Sequence, residues 1–179
     1  MRTLNELQLE MRAGFLDGAP GMLVSASVWL AAGITVTRWG MDAAVWTLLV
    51  GGALIHPVTI VTLKALGRSA RVSKGSPLAQ LAMATTIWLI VGCVLSYGLH
   101  TANPTWFFPA MLLVIGSRYL AFQTLFGHRT YWLCGMLLIA AGYFCGSSGL
   151  SPATAAFVGS GIEAAFAAFL LAQNARARA

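Results

Sequence analysis

The sequence predicts an all-α polytopic membrane protein. Six transmembrane helices follow a short amphipathic N-terminal helix, in one domain covering residues 1–179. Three observations predict it. Only 9% of residues are charged and 58% are hydrophobic, whereas a soluble domain carries about 25% charged residues to coat its surface. Residues 75–117 and 130–162 contain no Lys, Arg, Asp or Glu, and runs beyond about 18 apolar residues read as transmembrane helices. Mean hydropathy is +0.77.

The first 17 residues, MRTLNELQLEMRAGFLD, lack the basic start and immediate apolar core of a cleavable signal. They read as an amphipathic helix instead. Thr3-Leu4-Asn5-Glu6 is a capping-box pattern, and Leu4, Leu7, Met11 and Phe15 fall near one helical face. Such a helix either lies on the membrane over the mouth of the bundle or merely orients the first span. Its charges nearly balance, so it is no polybasic lipid anchor. Turn residues then divide the chain. The expected spans are about 18–37, 43–66, 77–97, 106–126, 131–146 and 152–174, the third and sixth opening on Ser-Pro starts at Ser76 and Ser151.

Charge sets the expected orientation. With six spans, the N-terminus, the second and fourth connections and the C-terminus share one side. That side holds Arg2, Arg12, Lys64, Arg68, Arg71, Lys74, Arg118, Arg129, Arg176 and Arg178, against Arg38 alone on the other. Ten against one predicts cytoplasmic termini by the positive-inside rule. Trp39, Trp46, Tyr97 and Trp106 at outer ends, with Tyr131 and Trp132 at an inner one, fit interfacial belts. The net charge of +6 is thus a topology signal, with no nucleic-acid partner implied.

Enzyme chemistry finds little support. The sequence has no phosphate-binding glycine loop, no GxSxG elbow, no HExxH and no Cys or His spacing for a metal or haem; no cofactor is expected. Cys93, Cys134 and Cys145 fall inside spans as small packing residues. His100 and His128 are assigned to loops. Gly142 and Gly146 form a GxxxG on the fifth span and Gly159 lies in a small-residue series on the sixth. Close backbone approach at small residues drives helix association in lipid, either within the chain or in a homodimer.

One level of the bundle is polar. Counted from the outer start of each span, Glu163 lies eleven residues in, Arg118 twelve and His56 thirteen, so all three sit about 17–20 Å below the outer boundary. Thr85 and Thr86 reach a similar depth from the inner side. Glu163 is expected to meet Arg118, with His56 nearby. Intramembrane ionisable groups mark substrate sites or proton relays. The competing readings are a buried ion pair that fixes helix register and an arginine that snorkels to the inner interface.

The stretches LNELQLEMRAGFLDGAPGMLVSASVWL, HPVTIVTLKALG, SPLAQL and GSRYLAFQTLFGHRTYW, with the acid in GIEAAFAAFLL, together resemble an uncharacterised family of small bacterial membrane proteins, domain of unknown function 7010. Glu6, Pro77, Gly116 and Glu163 occupy positions of its pattern. Arg118 stands where the family has His, and Ala121-Phe122 where it has a Pro-aromatic pair. The resemblance implies a multi-pass protein of the bacterial cytoplasmic membrane and carries no activity.

Transport of a small solute or proton through the His56/Arg118/Glu163 level is the favoured expectation. The alternative is a non-catalytic module that binds a lipid or partner protein, with the charges as a structural pair. Short echoes between Pro20-Gly-Met-Leu-Val and Pro109-Ala-Met-Leu-Leu suggest two halves of three spans with inverted topology, a plan common among transporters. Cysteines placed at positions 70 and 128 should be labelled only from the cytoplasm, and those at 102 and 149 only from outside. Opposite labelling at any two would overturn this topology.

Overall fold

A computed structural model describes residues 2–70, 73 and 75–176; Arg71, Lys74 and Arg178 of the charge count lie outside the described residues. The helices are α1 (Leu4–Phe15), α2 (Ala19–Trp39), α3 (Met41–Ala65), α4 (Pro77–Ala102), α5 (Phe107–Phe126), α6 (Thr130–Ser147) and α7 (Pro152–Arg176). Six helices are long and apolar enough to cross a membrane, so the chain is a multi-pass α-helical membrane protein. α4 runs five residues past the expected end at Tyr97 and takes His100 out of the loop. No breaker precedes Pro104, and the residue before it, Asn103, is extended as the proline ring requires.

Two seams hold the bundle. Between α5 and α6, a methyl group added at Gly116 would stand 2.7 Å from the Gly135 carbonyl, and one at Gly135 would stand 2.6 Å from the Gly116 carbonyl. Farther along, a methyl at Gly142 would lie 2.7 Å from the Pro109 carbonyl, and one at Gly146 would meet the Trp106 ring. The GxxxG motif is therefore occupied within the chain. Between α7 and α2, the buried Ala155, Gly159, Ser160, Glu163 and Ala167 face Ala19, Met22, Ala26 and Trp29. Ser160 Oγ donates to the Ala26 carbonyl at 2.9 Å, and a methyl at Gly159 would press on Leu112 and Trp29.

The pairing follows a pattern. α2 packs on α3 as α5 packs on α6, and the first helix of each half packs on the last helix of the other, α2 on α7 and α5 on α4. That exchange is what two inverted three-helix halves would produce. It fails at two places: α7 packs on α6 and on α5, whereas its counterpart α4 packs on neither α3 nor α2.

α1 has the expected capping box, with the Thr3 N–H donating to Glu6 and the Glu6 N–H to Thr3. It ends in a sharp reversal. Leu16, Asp17 and Gly18 have φ of 51°, 53° and 78°, a left-handed run that costs about 1–2 kcal/mol at each non-glycine residue. The reversal folds α1 across the bundle's end. Gln8 donates to the Thr124 carbonyl at 2.8 Å, Arg12 to that of Phe126, and the Ser73 N–H to Glu10 at 2.8 Å.

Gly116→Ala and Gly135→Ala should each destabilise the bundle by about 1–3 kcal/mol, because the clashing atoms are backbone. Gly98→Ala, where the methyl meets open space inside α4, should be tolerated and stabilise by up to about 1 kcal/mol through helix propensity. Unfolding in mixed detergent micelles measures both.

Candidate functional site

Glu163 is fully buried, with 0% of its surface exposed. It reaches the interior because α7 presents its small-residue face to α2, which leaves room for one long side chain at the middle of the seam. Tyr119 of α5 donates its hydroxyl to Glu163 Oε1 at 2.9 Å. Glu163 Oε2 is buried and has no hydrogen-bond partner. Ser25 of α2 and Cys134 of α6 also face the carboxyl, so four helices enclose it. A buried polar atom without a partner is costly, and a lone buried charge far more so.

The structure corrects the expected cluster. Among the described residues, Arg118 has no carboxylate within 4.0 Å. Its guanidinium lies 5.2 Å from the centre of the Phe122 ring and donates to Thr86 Oγ1 at 3.4 Å. Its Nε is buried and unpartnered. Arg118 and Tyr119 are neighbours on one helix, so about 100° of rotation separates them and only Tyr119 can point at α7. His56 is exposed on α3 and does not join Glu163. Thr85 is buried but bonds its own helix at the Ala82 carbonyl. An equal residue count along each span does not entail equal facing.

Two further polar clusters were not foreseen. At the α1 end, Asp17 accepts from His128 Nε2 at 3.0 Å and from Asn174 Nδ2, with Arg12 Nε at 3.9 Å. The Asp17 carbonyl accepts from the Tyr131 hydroxyl. One residue thus ties the start of α2, the α5–α6 turn and the end of α7. Its only sequence signal was Asp-Gly ahead of a Pro-started helix, a turn signature. At the opposite end, His100 Nε2 lies 2.9 Å from Asp42 Oδ1, and the Trp46 and Tyr97 rings pack at 6.1 Å. This clasp joins the far ends of α3 and α4.

These features define a multi-pass helical membrane bundle with a sealed carboxyl between four helices and polar latches at both ends. The chain belongs to a family of unknown function, DUF7010, whose model matches residues 4–173. No curated protein and no solved structure matches it.

Tyr119→Phe removes the one donor to a buried carboxyl oxygen and should destabilise the protein by about 1–3 kcal/mol. Asp17→Ala, which strands the donors around the left-handed turn, should have an effect of similar size. Detergent unfolding measures both. A pH dependence attaches to α1. Hydrogen bonds from the Ser73 side chain and backbone, with Arg2 beside it, hold the Glu10 carboxyl below its usual range. Its contribution to α1 docking is present above the ordinary glutamate value of about 4.3. It is lost as pH falls through the lowered one. Protection factors of the amides in residues 4–15, the exchange rates corrected for their intrinsic pH dependence, should fall on acidification below about pH 4.

Proposed function

We propose that the protein is a small proton-coupled transporter of the bacterial cytoplasmic membrane, with both termini in the cytoplasm. The observation that carries this reading is Glu163: a carboxyl sealed at mid-span, bonded through one oxygen only and lacking a cation in contact. In this closed arrangement it carries a proton, since an unpaired carboxylate in such a place would be prohibitively costly. A group of this kind binds a proton when sealed and releases it when water arrives, which is what a carrier needs and a register pin does not.

The pairing of the helices supports the same reading. Read as two inverted halves, the bundle is closed where α7 meets α6 and α5 and open where α4 would meet α3 and α2, an asymmetry of the kind alternating access requires. The orientation rests on the ten-to-one charge asymmetry.

Carboxyl infrared difference spectra of the protein in liposomes, recorded between pH 5 and pH 8, test the proposal. A reversible protonation signal that disappears in Glu163→Gln is expected. Liposomes challenged with small organic acids, amines and sugars should show proton uptake for one class, abolished by the same substitution. A Glu163 silent across that range, with no solute-driven proton movement, would overturn transport in favour of a lipid- or partner-binding module.

A further inference from the structure

The α3–α4 interface is built like a groove. The Asp42–His100 contact and the Trp46–Tyr97 packing fix which sides of the two helices face each other. From Asp42, the stripe at helical spacing on α3 continues through Leu49 and Ala53 to His56; from His100, that on α4 continues through Cys93 and Leu89 to Thr86. His56 and Thr86 each lie fourteen residues from the clasp, about 21 Å along their helices. They therefore stand at one level on opposite walls.

Below the clasp the walls do not close, since α3 and α4 are not a packed pair and Ala53 and His56 are exposed. Arg118 enters this level from α5, because it bonds Thr86 and Cys93 lies near its charge. Its buried Nε has no partner, and no carboxylate among the described residues lies within 4.0 Å of it. The walls between this level and the clasp are apolar except at Ser96 of α4, whose buried Oγ has no hydrogen-bond partner. At the foot of the groove, α1 and the α3–α4 connection frame an open cleft of about 430 Å³, lined by Glu10, Gly14, Arg68 and Ser73 among others.

We infer that the gap between α3 and α4 binds an amphiphilic anion, a long-chain carboxylate, with its head on Arg118, Thr86 and His56 and its chain along Leu49, Ala53, Leu89 and Cys93. A guanidinium with unused donors suits a carboxylate. The apolar length above it suits a chain, which a small hydrophilic anion would leave empty. Binding rests on the groove alone. Translocation rests on the transport reading, and there the two sites couple. Arg118 adjoins Tyr119, the donor to Glu163, so an anion on Arg118 and a proton on Glu163 act on adjacent residues of one helix. Coupled binding of the two is reciprocal, each raising the affinity for the other. The chain would then carry the anion together with a proton.

The test uses the full-length protein in nanodiscs of neutral phospholipid with a diazirine-bearing long-chain carboxylate. Crosslinks should map to α3 and α4 between the clasp and His56, and the alcohol of equal length should not compete. Arg118→Gln should weaken binding by about tenfold or more, the fold-change of losing a hydrogen bond to a charged group. Ala53→Trp, which fills the groove from an exposed position, should block it even if Arg118→Gln fails to fold. Val58→Trp, exposed on another side of α3, should leave binding unchanged. Crosslinks spread over all lipid-facing helices, or equal competition by the alcohol, would overturn the inference. Proton uptake driven by a small hydrophilic solute, without crosslinks in the groove, would overturn it and leave transport standing. Groove crosslinks without proton uptake would keep the binding site and remove the coupling.

Discussion

In hydrocarbon, apolar side chains gain nothing by leaving lipid for each other, so these helices are held by how closely their backbones approach. Everything else in the bundle depends on that constraint. Gly116, Gly135 and Gly142 bring α5 and α6 within carbonyl distance, and the Ala-Gly-Ser face of α7 does the same with α2. Rigid seams of this kind leave little free volume. A side chain that points into one is enclosed on all sides, which is the situation of Glu163.

The polar groups then sort by what encloses them. Glu163 is sealed between seams and has Tyr119 as its donor. Arg118, one residue away from Tyr119, is rotated off the seam and left with Thr86 and the Phe122 face. Asp17 sits where three chain segments meet and gathers their donors. Asp42 and His100 close the far end of α3 and α4, consecutive helices that do not otherwise pack. Two neighbouring interfaces, one sealed around an acid and one open beside a base, share α5.

Much of this was legible in the chain. Charge-free runs marked the spans, because a buried charge is too costly to place in them by accident. The capping box of α1 depends on Thr3 and Glu6 alone and formed as read. Glycine spacing in α6 correctly marked a packing face, since a missing side chain is a local property. Thr86 and Arg118, expected at similar depth from the fixed rise per residue, are in hydrogen-bond contact.

The number and approximate placement of the six helices follow from local composition, because charge-free apolar runs and turn residues are local properties. Which helices pair was settled by tertiary packing. The rotation of each helix about its axis is set by whichever small-residue faces mesh, and no single helix contains that information. Rotation put Glu163 against Tyr119 instead of Arg118 and turned His56 away from α7. The left-handed turn at Leu16, Asp17 and Gly18 was likewise decided elsewhere, by donors more than a hundred residues away at His128, Tyr131 and Asn174. No local preference of leucine or aspartate would have chosen it.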